Sequence, residues 1–563
     1  MNLLSGRAKE ETQFEKMWVQ FLSLFSIFLY LSNGEVNPGP VVQTSYGELQ
    51  GFTINLENGQ EANIFLKIPF ALPPIGNLRL EKPKAPEKWQ GTLNATSFGP
   101  ACIQHGRQTG YTDVSEDCLH LNIFAPHEKP TNPEKYPVLV WVHGGGWVAG
   151  GAVSHGYSGL ANRFVTHGIV VVTIQYRLGP LGDERFPGNL GLWDMRAALK
   201  YLKKNIANFG GNPNKITLMG GSAGSASVSM LSMSPSTRDL FEQAIQISAS
   251  PFAEWTTSNR VIAETDKLAE QLGCKMKDSL ELKRCLKNKT VDEIQDAVEV
   301  VGTSRYDLNV VLFGPRLDAD FFPNDYPDLI KESPKKPTML GMAAEEGGFF
   351  TILGLARSLN ELYIPKDQFK NYKRNKLVKF IRNIVAPEIA FGEKKAKEAQ
   401  NKIIDFYVNK QVPEEPDYKF WLQRYTQLFS DIGFNIPILK EVQYKREYDW
   451  PVYLYLWEHF NPENFEKDLP IKGAFHGIEY PYLFDFFLTG KFEFDENDRK
   501  VQKLFIDSIA NFVKNGNPST DNMTWPPLDK EHMFRHLSLS TMKSPQAVVR
   551  WYDAVRWHRT KFV

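Results

Sequence analysis

Short, continuous apolar runs alternate along this chain with segments whose apolar residues recur at helical spacing. The runs at residues 136–143, 168–176, 215–220 and 243–248 are rich in β-branched residues and predict buried strands. Between them, residues 194–209 predict a helix that the sequence GGNPN ends. Apolar strands that alternate with helices predict an α/β fold, in which helices cover both faces of a largely parallel sheet.

The C-terminal half has a different pattern. Residues 367–429 read as charged amphipathic helices, which predicts a helical insertion in this half of the chain. From about residue 41 to residue 563 there is no low-complexity linker and no internal repeat. We therefore expect a single domain over residues 41–563.

The N-terminal region predicts a targeting segment. Residues 17–31 are almost entirely apolar, Lys16 precedes them, and the small residues Ser32 and Gly34 follow. This pattern is typical of a signal peptide at residues 1–34, with Met17 as a possible true start; a single-pass signal anchor is the alternative. Residues 32–40 predict a turn at the mature N-terminus.

The composition excludes several classes of protein. The 563 residues are 42% hydrophobic and 23% charged, values typical of a globular protein. Lys and Arg number 65, as do Asp and Glu, so the formal net charge is zero and nucleic-acid binding is disfavoured. A mean hydropathy of −0.35 excludes a polytopic membrane protein.

Cysteines and sequons bear on the compartment. The four cysteines contain no Cys-x-x-Cys motif and allow three pairings, which spacing alone leaves open: Cys102, Cys118, Cys274 and Cys285. Three glycosylation sequons begin at Asn94, Asn288 and Asn522. Together with the signal peptide, they predict a secreted glycoprotein with disulfide bonds.

The sharpest chemical motif is GGSAG at residues 220–224, between a predicted strand and a predicted helix. A tight turn in that position can hold a serine with its hydroxyl exposed, provided that the residues two before and two after it are small. Ser222 is therefore a candidate nucleophile.

A second motif, HGGG at residues 143–146, ends another predicted strand. Glycine backbone N–H groups can approach a developing oxyanion closely, and each such donor contributes about 2.7–4 kcal/mol in acyl transfer. Gly145 and Gly146 would supply two donors and Ala223 a third.

A serine nucleophile needs a base, and the base needs an orienting carboxylate. Among 11 histidines, His476 is a candidate because apolar residues and a glycine flank it in GAFHGIEYPYLF. Glu345 and Glu346 follow the strand-like segment PTMLGM. From the residues alone, either glutamate could instead be a solvated surface charge.

Ordered blocks across the chain resemble the type-B carboxylesterase family, which includes carboxylesterases, cholinesterases and juvenile-hormone esterases. The resemblance covers about residues 41–563 and implies the α/β-hydrolase fold. Its blocks are IPFALPPIGNLRLEKP, SEDCLHLNIF, HGGGW, YRLGPLG, PGNLGLWD, NIANFGGNPNKITLMGGSAG, FHGIEYPYLF and FVKNGNP followed by WPPL.

The resemblance implies roles for individual residues. Ser222 matches the family nucleophile, His476 the general base, and Glu346 rather than Glu345 the acid. The other matches are the oxyanion hole (Gly145, Gly146, Ala223), two disulfides (Cys102–Cys118 and Cys274–Cys285), an ion pair (Arg79 and Glu116) and an acyl-pocket residue (Trp255).

Two departures qualify the resemblance. Gly221 stands where the family usually has a glutamate before the nucleophile. The loop between Cys102 and Cys118 has no tryptophan to bind choline, which disfavours a cholinesterase.

The function implied is a secreted serine hydrolase that cleaves neutral, small-molecule carboxylic esters through an acyl-enzyme and requires no metal or cofactor. No stable membrane span is expected in the mature chain. The alternatives are a non-catalytic binding or adhesion member of the same fold, which Gly221 would favour, and a lipase that shares the chemistry but differs in its pocket.

Overall fold

The computed structural model describes residues 37–540, with gaps at 108, 132, 183–185, 276–277, 355–361 and 487–491. The predicted signal peptide at residues 1–34, with its possible start at Met17, lies outside the described residues. Within the ranges that are described, no helix has both the length and the apolar character required to cross a membrane.

The described residues contain strands β1–β14. Their bounds are β1 Asn37–Gln43, β2 Glu48–Asn55, β3 Glu61–Pro69, β4 Thr92–Asn94, β5 Ala101–Cys102, β6 Val114–Ser115, β7 His120–Pro126, β8 Tyr136–Val142, β9 Val170–Ile174, β10 Gly211–Gly221, β11 Gln243–Ile247, β12 Thr338–Ala343, β13 Val452–Trp457 and β14 Leu537–Leu539.

One large sheet forms the centre of the molecule. Its strand order is β1-β2-β3-β7-β9-β8-β10-β11-β12-β13-β14, and β4 pairs with β2. The pairs from β9 to β14 are all parallel, whereas β1, β2, β3 and β7 pair antiparallel along the main path. The prediction of a largely parallel sheet is confirmed, and the four predicted strands correspond to β8, β9, β10 and β11.

Both faces of the sheet are buried, which is why its strands read as continuous apolar runs. In β8, Leu139 and Trp141 belong to one apolar cluster, while Val138, Val140 and Val142 belong to the cluster on the opposite face. Successive side chains of a strand point to opposite faces, so helices on both sides require apolar residues at every position.

The described residues also contain helices α1–α15. Their bounds are α1 Ser158–Phe164, α2 Gly179–Gly182, α3 Leu190–Asn205, α4 Ala223–Met233, α5 Val261–Gln271, α6 Ser279–Lys287, α7 Val291–Val301, α8 Tyr326–Glu332, α9 Arg374–Phe380, α10 Glu388–Phe391, α11 Glu393–Ile404, α12 Tyr418–Ser430, α13 Ile436–Glu447, α14 Tyr480–Leu483 and α15 Glu496–Asn515. Short 3-10 and π-helical turns are at Gly76–Leu78, Ala152–His155, Val165–His167, Ile206–Phe209, Phe349–Leu353, Lys366–Asn371, Ile381–Val385, Asp405–Asn409, Asp431–Asn435 and Pro462–Asn464.

The predicted helical insertion lies between two neighbouring strands of the sheet. The chain leaves the sheet after β12, forms α9–α13, and returns as β13, which pairs with β12 in parallel from Thr338 and Val452 onward. The insertion has its own apolar contacts, with Leu377, Leu422 and Tyr425 buried. The α/β-hydrolase fold with a helical insertion in the C-terminal half is therefore confirmed.

The predicted turn at residues 32–40 is wrong where the structure describes it, because Asn37–Gln43 is strand β1. β1 pairs only with β2, so it is an edge strand of the described sheet. A proline lacks the N–H that a central strand needs, but an edge strand tolerates Pro38 and Pro40.

Two disulfides join Cys102 to Cys118 and Cys274 to Cys285. The expected ion pair is also present: Arg79 Nε donates to Glu116 Oε1 at 2.6 Å. The Arg79 guanidinium also donates to the Lys287 carbonyl at 3.2 Å, at the end of α6 that follows Cys285.

Candidate active site

Ser222 lies on a strained turn between β10 and α4. Its backbone has φ 55° and ψ −127°, a conformation that costs a residue other than glycine about 1–3 kcal/mol. The Ser222 N–H donates to the Ile247 carbonyl at 2.8 Å, at the end of the neighbouring strand β11. The turn therefore presents the side chain at the carboxyl edge of the sheet, where the motif predicted it.

The small residue at position 224 has a steric explanation. A Cβ on Gly224 would stand 2.1 Å from the Val142 carbonyl oxygen and 2.7 Å from that of His143. Because α4 begins so close to the end of β8, any larger residue would push the helix away from the strand. The spacing of the GGSAG motif thus follows from the packing of this turn.

The glycine loop after β8 lies against this turn. Gly145 and Gly146 both have positive φ, at 108° and 64°. Among the described residues, none accepts a hydrogen bond from the backbone N–H of Gly145, Gly146 or Ala223. A Cβ on Gly144 would stand only 2.9 Å from Ser222 Cβ, so the loop and the serine are in close proximity.

Glu346 and His476 are joined directly. His476 Nδ1 donates to Glu346 Oε2 at 2.6 Å, and Glu346 Oε1 accepts from the Ala343 N–H at 2.8 Å. The Glu346 side chain is fully buried, and His476 is 7% exposed. The carboxylate is therefore fixed at the end of β12 and orients the imidazole ring.

Glu345 has different surroundings, although it is the neighbour of Glu346. Its Oε1 accepts from the Gln423 amide at 2.9 Å, in the helical insertion. Burial raises the pKa of Glu345, and the hydrogen bond from Gln423 opposes part of that rise. Glu345 is therefore neither a surface charge nor the carboxylate that His476 contacts.

Aromatic side chains surround His476, and the sequence did not identify them. The ring centroids of Phe349, Phe350 and Phe434 lie 5.9, 5.2 and 4.8 Å from that of His476. The only sequence indication was the FF pair at residues 349–350, which follows Glu346 after two glycines. These rings shield the imidazole from water on the side of the insertion.

Trp255 is half-buried next to this aromatic group. Its ring lies 5.7 Å from the rings of both Trp147, in the glycine loop, and Phe434. Its indole N–H donates to the Gly433 carbonyl at 2.9 Å, which fixes the ring orientation. The tryptophan thus connects the glycine loop to the insertion.

A second buried carboxyl group lies close to Glu346. Glu479 is fully buried, and Ser248 Oγ donates to its Oε1 at 3.4 Å. Burial, with a further contribution from the negative charge of Glu346, raises the pKa of Glu479 to about 8. Sequence reasoning missed this group, because an acidic residue three positions after a histidine carries no distinctive pattern.

Comparisons with known proteins identify the family of this chain. A profile of the carboxylesterase family matches residues 38–553. Gut esterase 1 of Caenorhabditis briggsae is 40% identical over 500 residues, 87% of each chain, and that of Caenorhabditis elegans is 39% identical over 502 residues, with the same shares. Acylcarnitine hydrolase of Mus musculus is 30% identical over 550 residues, 92% of this chain and 91% of its own. The chain therefore belongs to the carboxylesterase family and is a carboxylic ester hydrolase.

Proposed function

We propose that the chain is a secreted serine esterase in which Ser222 is the nucleophile, His476 the general base and Glu346 the residue that orients it. One observation carries this proposal. Ser222 stands on a strained strand-to-helix turn at the same edge of the sheet where Glu346 hydrogen-bonds His476 at 2.6 Å. The chain order Ser, Glu, His is that of α/β-hydrolases.

The reaction proceeds in two steps. In the first, His476 takes the proton of Ser222 Oγ as this oxygen attacks the ester carbonyl, and then gives that proton to the leaving alcohol. In the second, His476 takes a proton from the water that attacks the acyl-enzyme and gives it to Ser222 Oγ, so that the acid and the free serine are released. Glu346 stabilises the imidazolium cation in both steps.

Backbone donors stabilise the oxyanion of each tetrahedral intermediate. The N–H groups of Gly145, Gly146 and Ala223 suit this role, since none of them donates to another group among the described residues. Such donors are already oriented before the reaction, so their stabilisation carries no cost of reorganisation.

The substrates are neutral esters with an apolar acyl group. Trp255 lines the acyl pocket in this proposal, between Trp147 of the glycine loop and Phe434 of the insertion. Aromatic walls favour apolar groups.

The proposal includes secretion. Asn94, Asn288 and Asn522 are all exposed, as N-glycosylation requires, and the two disulfides suit an oxidising compartment. Residues 1–34 would be removed as a signal peptide, and residues 41–563 form the single hydrolase domain. Treatment with an N-glycosidase should reduce the apparent mass of the secreted chain and convert these asparagines to aspartates.

The test is covalent labelling of the secreted full chain with a fluorophosphonate probe, followed by mass spectrometry. We expect one label per chain, on Ser222, and no label on Ser222→Ala. Ser225→Ala is the matched control: Ser225 is buried, and its hydroxyl donates to the Ala249 carbonyl at 2.7 Å, so labelling should persist.

Two results would contradict the proposal: a folded chain that takes no label, or a label that persists in Ser222→Ala. The first would favour a non-catalytic binding role. A labelled enzyme whose rate rises sharply when a long-chain ester forms aggregates would instead be a lipase.

A further inference from the structure

The phenol of Tyr480 lies where a side chain before the nucleophile would stand. A Cβ on Gly221 would be 2.7 Å from the Tyr480 hydroxyl oxygen and 3.1 Å from the nearest ring carbon. The same hydroxyl lies 3.1 Å from the position of a Cβ on Gly144, which is itself 2.9 Å from Ser222 Cβ. Tyr480 thus fills the space that Gly221 leaves beside Ser222.

Ring packing and a backbone hydrogen bond fix the position of the Tyr480 hydroxyl. The Tyr480 ring packs edge-on against Trp141 and Phe484, with centroids 6.0 and 5.6 Å apart. Its backbone is anchored as well, since the Tyr480 N–H donates to the Gly477 carbonyl at 3.1 Å, one residue after His476. The phenol oxygen can therefore shift little relative to the serine.

Among the described residues no hydrogen bond involves this hydroxyl, and its oxygen is not fully buried although the residue is only 8% exposed. A hydroxyl that reaches solvent beside a nucleophile can hydrogen-bond a bound ligand or a water molecule. Burial, followed by the charge of Glu479, raises the pKa of Tyr480, so the phenol keeps a proton to donate.

We propose that the Tyr480 hydroxyl is a further catalytic group of this site, which hydrogen-bonds the oxygen that exchanges its proton with His476. That oxygen belongs to the leaving alcohol during acylation and to the attacking water during deacylation, because the second step retraces the first. The inference rests on the proposed function of Ser222 and His476.

The chemistry of the step is conventional. The water oxygen bonds to the acyl carbon and its proton passes to His476; the bond from that carbon to Ser222 Oγ then breaks as His476 gives the proton to Oγ. Tyr480 keeps its own proton and only positions the water by a hydrogen bond. In acylation the same hydroxyl positions the alkoxy oxygen that receives the proton from His476.

The experiment uses Tyr480→Phe, which keeps the ring and its packing. With p-nitrophenyl acetate, we expect a full burst of nitrophenolate, followed by a steady rate threefold to tenfold slower, roughly the loss of one hydrogen bond. The kcat/KM should fall by a similar factor for an ester of an aliphatic alcohol. It should stay unchanged for the p-nitrophenyl ester, since nitrophenolate leaves without a proton.

Tyr372→Phe is the matched control, because it removes a hydroxyl from a tyrosine of the insertion that is 2% exposed. It should change none of these rates. Fluorophosphonate labelling of Tyr480→Phe at the wild-type rate would show that Ser222 remains assembled, since fluoride also leaves without a proton.

Two results would overturn the role of Tyr480 and leave the proposed function intact. They are an unchanged deacylation rate in Tyr480→Phe, and an equal loss of kcat/KM for the p-nitrophenyl ester and the ester of an aliphatic alcohol. Loss of labelling in Tyr480→Phe would overturn it as well, by showing that the phenol supports the serine itself. A wild-type chain that neither labels nor gives a burst would overturn the proposed function together with this inference.

Discussion

Glu346 holds His476 by one carboxylate oxygen and the backbone of β12 by the other. The distance from His476 Nδ1 to Glu346 Oε2 is 2.6 Å, and the distance from the Ala343 nitrogen to Glu346 Oε1 is 2.8 Å. The ring is thereby kept in the tautomer that leaves Nε2 free to accept a proton. These two hydrogen bonds distinguish Glu346 from Glu345.

We expect Glu346→Gln to lower kcat by about 10³–10⁴, since an amide can donate to Nδ1 and favour the wrong tautomer. Glu345→Gln is the control, and its kcat should be nearly unchanged, because Glu345 contacts Gln423 instead. Steady-state kinetics with a saturating ester measure both values. The reverse ranking of the two variants would show that the wrong glutamate is assigned.

Gly221→Ala should destabilise the protein by about 1–3 kcal/mol, as expected of an overpacked core. Its new methyl would stand 2.7 Å from the Tyr480 hydroxyl oxygen and 3.1 Å from a Trp141 ring carbon. Urea unfolding measures the decrease in the free energy of unfolding. Adding Tyr480→Phe should restore part of the stability, because only the contacts near 3.1 Å remain.

Gly433→Ala provides the comparison for this prediction. The nearest heavy atom to its new methyl would be a Phe429 ring carbon at 3.7 Å, an ordinary van der Waals contact. Its free energy of unfolding should therefore stay close to that of the wild type. Equal losses in Gly221→Ala and Gly433→Ala would contradict the steric argument.

The Cys102–Cys118 bond closes a loop with a sequence separation of 16, and both cysteines are 1% exposed. Replacing both cysteines with alanine should lower the free energy of unfolding by about 3 kcal/mol, because the unfolded chain gains entropy. Urea unfolding of the variant tests this value. A non-reduced peptide map of the wild type that joined Cys102 to Cys274 or Cys285 would refute the pairing itself.

Glu479 should make stability depend on pH. Its pKa is raised to about 8 in the folded state by burial and by the charge of Glu346, against an ordinary value of 4.5. The folded chain therefore binds this proton more tightly than the unfolded chain, so the free energy of unfolding falls as pH rises from about 4.5 to 8. Glu479→Gln lacks this proton and should lose less stability over that range.

Urea unfolding at intervals from pH 5 to pH 9 measures the difference between Glu479→Gln and the wild type. The free energy of unfolding of Glu479→Gln, relative to that of the wild type, should increase as pH rises. It should become constant above the raised pKa of Glu479. Glu57→Gln, which alters an exposed carboxylate, should run parallel to the wild type. A pH-independent difference for Glu479→Gln would rule out the raised pKa.

The sequence predicted those parts of the fold that depend on local pattern. The strands at residues 136–143 and 243–248 were predicted to within one residue of β8 and β11, because both faces of the sheet demand apolar residues. Helix α3 begins at Leu190, four residues before the predicted start, since an apolar segment ahead of a helix gives no clear boundary.

The surroundings of the candidate site were not predictable in the same way. Tyr480 meets Gly221 only because the chain returns to the sheet after the insertion, and no periodicity links the two positions. Phe434 reaches His476 from a π-helical turn inside the insertion. Choosing Glu346 over Glu345 needed the family resemblance, because the residues alone gave both the same pattern.

The insertion between β12 and β13 has a consequence for how the protein acquires activity. These two strands are direct neighbours, yet all of α9–α13 separates them along the chain. Pairing across so long a loop is slow, because its entropy is lost before the contacts form. Glu346 precedes the insertion and His476 follows it, so we expect the hydrogen bond between them to form only once these strands have paired. Enzymatic turnover during refolding should therefore appear last, after the signals of secondary structure, and serve as a reporter of complete folding.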